Sequence, residues 1–247
     1  MPDKTILITG ASSGLGAALA RAYAAPGTSL ILWGRDAARL AQIAEICRAR
    51  GAACAIDDFD IRDCDAQLCR LRAAGVIDIA IFNAGLGGSV PDDRLAEDAG
   101  SARATAEVNF VAPVIGASLV AGEMAKRGEG RIVLVGSIAE SYPLPMAPTY
   151  AATKAGLRLF AEALGLRMAK FGVGVTLVSP GFIDTPMSQQ LDAPRPFLIT
   201  ADKAARVILH GVAAGKRTIV VPWQFAVIRF FTSLLPRAVL RALLSRR

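Results

Sequence analysis

"TILITGASSGLGAALARAYA", residues 5–24, is where the fold is decided. TILIT is an unbroken apolar run of strand length, as expected for a strand buried on both faces. It runs directly into glycines 10, 14 and 16, and a helical stretch from about Gly14 to Ala25 follows. Glycine allows a tight turn and lets the backbone approach a pyrophosphate, while the helix aims its first N–H groups at the anion. Three glycines alone say little. Between a first strand and a first helix near the N-terminus they point to dinucleotide binding. No Gly-Lys-Ser/Thr follows, so the loop is not a P-loop.

Outward from this unit the alternation continues. SLILW (29–33), ACAID (53–57), DIAIF (78–82), RIVLVG (131–136), GVTLVS (174–179) and TIVV (218–221) read as further strands. Helices are expected at about 36–50, 100–127, 148–171 and 202–214. Strands that do not alternate polar with apolar, separated by helices, predict an α/β fold: a doubly wound parallel sheet of about seven strands in one Rossmann-type domain. The expected domain spans 1–222, and 223–247 forms an apolar, basic, helical C-terminal tail.

The 247 residues are 53% hydrophobic and 20% charged, enough for a large core and unlike a disordered chain. MPDKTILITG carries Asp3 and Lys4 ahead of a short apolar run, which is not a signal peptide. Cys47, Cys54, Cys64 and Cys69 have no CxxC or framework spacing and read as reduced cytosolic thiols; no metal site is expected. The single histidine, His210, reads as structural.

Two features suggest chemistry. In TYAATKAG (149–156), Tyr150 and Lys154 stand one helical turn apart among small residues. The second strand ends at Gly34, Arg35 and Asp36, where a ribose 2′-hydroxyl calls for an acid and a 2′-phosphate for a cation. Gly34 leaves room and Arg35 supplies a forked cation suited to phosphate, so NADP(H) is expected over NAD(H), which stays possible. Alternatively, Arg35 is a solvated helix-start residue and Asp36 an N-cap.

TGASSGLG (9–16), FDI (59–61), NAG (83–85), Asn109, Ser137, YAATK (150–154) and PGFIDT (180–185) occur in order and at fitting distances. On these motifs the chain resembles the compact, one-domain branch of the short-chain dehydrogenase/reductase family, from Lys4 to about Val221. The resemblance implies a catalytic set. Tyr150 is the general acid/base, and Lys154 lowers its pKa and holds the nicotinamide ribose. Ser137 hydrogen-bonds the substrate oxygen, and Asn109, in the 100–127 helix, anchors a water linking Lys154 to solvent. It also implies cofactor contacts. Gly10, Ser12, Ser13, Gly14, Leu15 and Gly16 meet the phosphates, Asp60 and Ile61 flank the adenine, and Asn83, Ala84 and Gly85 line the cofactor. Pro180, Gly181, Ile183 and Thr185 surround the carboxamide. The implied activity is hydride transfer between NADP(H) and a carbonyl or secondary alcohol, in a homodimer or homotetramer. The chain departs from the family in a lone Ser137 where many relatives have two serines. Its glycine loop also lacks the basic residue of some NADP(H) users. A binding protein without turnover is the alternative, and the intact set of four argues against it.

Met187, Leu191, Phe197, Leu198 and Ile199, in the expected pocket segment 186–200, suggest an apolar or amphiphilic substrate. From residue 203 onward there are nine cations and no acid, whereas the preceding residues carry 19 cations and 21 acids. The run 223–235 holds one charge, Arg229, and is too short to span a bilayer. Beyond Pro236, Arg237, Arg241 and Ser245 share one helical face, and Val239, Leu240, Leu243 and Leu244 the other. This pattern fits a helix lying on the anionic inner face of a membrane, or equally one packed on the pocket or a second subunit. Nucleic acid is not expected, because the cations alternate with aliphatics.

Overall fold

The computed structural model describes residues 4–88, 90, 95–191 and 193–235. In chain order the elements are β1 (Lys4–Thr9), α1 (Gly14–Tyr23), β2 (Thr28–Gly34), α2 (Ala37–Arg48), β3 (Ala53–Asp58), α3 (Cys64–Ala73), β4 (Ile79–Phe82) and α4 (Ala99–Ala106). A π turn (Glu107–Val111) leads into α5 (Ala112–Arg127) and β5 (Gly130–Val135). Then come α6 (Pro148–Met168), β6 (Val173–Pro180), β7 (Ile183–Asp184), α7 (Pro186–Gln189), β8 (Ile199–Thr200), α8 (Ala201–Ala213), β9 (Thr218–Val221) and α9 (Gln224–Ser233).

Seven strands form one parallel sheet in the order β3-β2-β1-β4-β5-β6-β9. The order reverses between β1 and β4, which opens a crevice at the carboxyl ends of the strands. Apolar side chains from the two sheet faces feed two cores. One centres on Ile8, Leu32, Val133 and Val178 under α1 and α8, the other on Leu7, Phe82, Leu134 and Leu177 under α5 and α6. Exposure of β3 (Ile56 is 39% accessible) follows from its place at the sheet edge.

Two expectations change. The helix anticipated over 100–127 is α4, a π turn and α5. Pro113 has no N–H to give the Asn109 carbonyl, which an α-helix would need there, and the Ala112 N–H reaches back to Glu107 instead. Helix α3 was not anticipated. Its inward residues are Gln67 and Leu71, and Gln67 Nε2 donates to the Ala112 carbonyl (3.1 Å), so a buried amide stands where the period needs an apolar residue. The pocket segment 186–200 carries α7 and β8, and β8 pairs with β7 just ahead of the segment.

Candidate active site

The glycine loop is tied to its surroundings by backbone bonds. Ala11 N–H donates to the Trp33 carbonyl (2.9 Å), and Thr9 Oγ1 accepts from the N–H groups of Asn83 and Ala84 (both 2.9 Å). Asn83 Nδ2 in turn donates to the Thr9 carbonyl (3.0 Å). Gly10 sits at φ +68°, in the left-handed region. A Cβ on Gly16 would lie 2.1 Å from the Gly10 carbonyl oxygen. The loop is therefore a cradle that a side chain would fill. Ser13 makes no side-chain cap bond to α1, whereas Asp36, Asp63, Asp98 and Thr200 cap α2, α3, α4 and α8. With no acid in its first turn, α1 presents an N-terminus suited to phosphate.

The four candidate catalytic residues converge at the neighbouring strand ends. Tyr150 and Lys154 share one face of α6, with Nζ 5.8 Å from the phenol ring centre. Lys154 Nζ donates to the Val135 carbonyl (2.9 Å), at the end of β5. Ser137 follows that strand, and its hydroxyl faces the Tyr150 hydroxyl closely enough to pull the phenol's pKa down. Asn109, fully buried in the π turn, clasps Leu86. Its Oδ1 accepts from Leu86 N–H (2.7 Å), and its Nδ2 donates to the Leu86 carbonyl (2.8 Å). Asn109 Oδ1 and Lys154 Nζ lie 3.3 and 3.8 Å from where a Cβ on Gly85 would stand, which brings NAG, Asn109 and Lys154 to one place.

The electrostatics differ from the expectation. Burial pushes the Tyr150 phenol up, the Ser137 hydroxyl pulls it down, and Glu140 adds to the rise. Burial brings Lys154 down to about 8, opposed by Glu140. Desolvation thus sets the direction of the phenol's shift, while Lys154 donates to the Val135 carbonyl and its own charge is disfavoured by the same burial. A protonated phenol at neutral pH is the form that can donate a proton.

A family model described as short chain dehydrogenase matches residues 4–196. The chain belongs to the short-chain dehydrogenase/reductase family. An uncharacterized oxidoreductase of Myxococcus xanthus is 32% identical over 246 residues, covering 98% of this chain and 96% of its own. A short-chain dehydrogenase from Sphingobium yanoikuyae in complex with NADPH superposes at a TM-score of 0.83 and 27% identity, over 95% of this chain and 97% of that one. The bulky-bulky ketone specific alcohol dehydrogenase from Comamonas testosteroni superposes at 0.80 and 27% identity, over 95% and 96%.

At the adenine end of this short-chain dehydrogenase, Arg35 is exposed and Asp36 caps α2, accepting from Arg39 N–H (2.9 Å). Asp36 thus serves as the N-cap anticipated above, while the Arg35 cation stands at the strand end. A Cβ on Gly34 would meet Ser12 Oγ at 3.2 Å, so the loop closes on the end of β2. Asp60 is bound to Arg62 (2.6 Å), which holds its carboxyl below the usual range, and Ile61 is half-buried beside it. Beyond β6, Gly181 N–H donates to the Val221 carbonyl (2.8 Å), and buried Ile183 lies in β7. Thr185 caps α7, and its Cγ2 lies 3.1 Å from a notional Gly14 Cβ, so the PGFIDT segment touches the glycine loop.

Three further residues shape the site. Phe225 of α9 covers Gly181 and stacks edge-on with Phe182 (6.0 Å) and Phe197 (5.6 Å), so the tail helix walls the apolar pocket segment. Glu140, whose side chain is fully buried, sits behind Ser137 and pairs with Arg229 of α9 (3.3 Å). The Ser137-x-x-Glu140 spacing of a capping box was legible in the sequence, as was the single charge of the 223–235 run. The amphipathic pattern expected over residues 237–245 lies outside the described residues.

Proposed function

We propose that this enzyme reduces apolar or bulky ketones and aldehydes with NADPH, and reverses the reaction on secondary alcohols. The observation that carries the reading is the convergence of Ser137, Tyr150 and Lys154 at the end of β5, beside an open glycine cradle. When bound, the nicotinamide supplies or accepts the hydride. The Ser137 and Tyr150 hydroxyls hold the substrate oxygen, and Tyr150 gives it the proton. Lys154 orients the ribose and restores the phenol's proton, relayed from solvent by a water anchored at Asn109. Gly10 through Gly16 carry the pyrophosphate, Arg35 the 2′-phosphate, Asp60 and Ile61 the adenine, and Asn83 to Gly85 with Pro180, Gly181, Ile183 and Thr185 the nicotinamide half. The NADPH named with the Sphingobium enzyme and the bulky ketones named with the Comamonas enzyme support this choice, as do Met187, Leu191, Phe197, Leu198 and Ile199. NADPH and NADH oxidation against a panel of lipophilic ketones and aldehydes tests it. Turnover with NADPH on several members is expected. Tight NADPH binding with no turnover on any member would establish a dinucleotide sensor instead.

Two associations belong to the same proposal. Leu159 and Leu166, seven residues apart on α6 and 63% and 74% exposed, support a homodimer or homotetramer. On α9, Phe225, Arg229 and Thr232 face the body, while Trp223, Val227, Phe230, Phe231 and Leu234 form an exposed apolar face. With the acid-free, cation-rich chain around it, this face supports peripheral contact with an anionic membrane from the cytoplasmic side.

A further inference from the structure

Helix α9 is attached to the body on one side, and two of its attachments reach the turn that carries Ser137. The Tyr142 hydroxyl and Thr232 Oγ1 share a hydrogen bond of 2.8 Å, and Arg229 Nη1 donates to Glu140 Oε1 (3.3 Å). Glu140 accepts from two more donors, the Ser179 hydroxyl at Oε1 (2.7 Å) and the Ser137 N–H at Oε2 (3.4 Å). Its side chain has no exposed surface. A Cβ on Gly136 would stand 2.6 Å from Oε2, so the backbone before Ser137 leaves room for the carboxylate. A buried carboxylate is stable only when its lone pairs meet donors or cations. Among the described residues the one cation touching it is Arg229 of α9, 89 residues away in sequence.

We propose that Glu140 and Arg229 are positioning residues. The Arg229–Glu140 pair fixes the backbone turn at Ser137, so α9 sets the geometry of the Ser137–Tyr150 pair. The inference rests on the catalytic reading of Ser137 and Tyr150. Neither Glu140 nor Arg229 is given contact with substrate, and their effect is expected in turnover rather than binding. The titratable and charged groups facing Glu140 are Arg229 from α9 and Tyr150, Lys154 and Arg158 from α6. Burial already holds the Glu140 carboxyl above its usual range, and Arg229 opposes that rise. Loss of Arg229 therefore moves protonation of Glu140 to higher pH. The protonated acid is a poorer acceptor for the Ser137 N–H and no longer supports the positive charge of Lys154.

The test compares the full-length parent with Arg229→Leu, Arg229→Lys and Glu140→Gln, using NADPH and the best ketone of the panel. Arg229→Leu should lower kcat about tenfold or more, as small misplacements at a reacting centre do, with NADPH Kd held within about twofold. The acid limb of its kcat–pH profile should move to higher pH, and Arg229→Lys should restore most of both. In Glu140→Gln the amide sets a donor against Ser137 N–H or against Ser179 and Arg229, so kcat should fall at every pH and the shifted limb should vanish. An Arg229→Leu protein with the parent's kcat and pH profile overturns the inference alone. So does one that loses NADPH affinity and thermal stability together, with no recovery in Arg229→Lys. A parent that binds NADPH without turnover overturns the reading of Ser137 and Tyr150, and this inference with it.

Discussion

Replacing Arg35 by alanine should separate the two nicotinamide cofactors. Arg35 stands exposed just past the end of β2, and its neighbour Asp36 is committed to the N-cap of α2. Asp36 is thus taken up by the helix cap, while a 2′-phosphate would meet the Arg35 guanidinium. A charge-assisted hydrogen bond contributes about 1.5–3 kcal/mol. Exposure and salt screening reduce this one to about 1–2 kcal/mol, which corresponds to a loss of about fivefold to thirtyfold in NADPH affinity. NADH lacks the phosphate, and its Kd should move by less than about twofold. Titration of both cofactors into both proteins at low and high salt measures the difference, and the NADPH preference should shrink as salt rises. Equal losses for the two cofactors, or a parent that prefers NADH, would refute the assignment of Arg35 and return it to a solvated helix-start residue.

Tyr150→Phe should cut turnover by at least about 10²-fold while leaving NADPH Kd nearly unchanged, because only the proton-bearing oxygen is lost; near-parental kcat would remove Tyr150 from the chemistry. Burial raises the Tyr23 phenol to about 12, and its hydroxyl has no hydrogen-bond partner among the described residues. Its folded-state pKa lies above the unfolded value, so its contribution is intact below pH ~10 and is lost as pH rises from there toward 12, about 2–3 kcal/mol in all. Thermal melts of Tyr23→Phe should show a shallower alkaline decline and no loss at pH 7; an unchanged alkaline slope would contradict this. Anionic vesicles should pellet the full-length chain, less so at high salt, and Phe230→Asp with Leu234→Asp should abolish pelleting while sparing ketone turnover. If the parent ignores anionic vesicles, or the double variant changes only from oligomer to monomer, the outer face of α9 is a subunit contact.

The sequence by itself determined whatever depends on a short-range period. Unalternating apolar runs specify strands buried on both faces, and seven of them with intervening helices specify the parallel sheet. Gly10, Gly14 and Gly16 are legible because tight backbone approach has one residue type that permits it. Tyr150 and Lys154 share a face because helical spacing is local. The Arg35 and Asp36 alternatives could be written down from sequence, but the α2 N-cap geometry was needed to place Asp36. Tertiary structure alone decided the rest. Helix α3 was hidden because its inward Gln67 meets the α5 backbone, a partner far along the chain. The break at Asn109 arises from one missing N–H at Pro113. The direction of the Tyr150 shift is a matter of desolvation, which depends on everything packed around the phenol and not on the lysine four residues away. The two faces of α9 follow from the same cause. Its sequence is mainly apolar with Arg229 its one charge, and only packing determines that Phe225, Arg229 and Thr232 turn inward while Phe230 and Leu234 meet solvent.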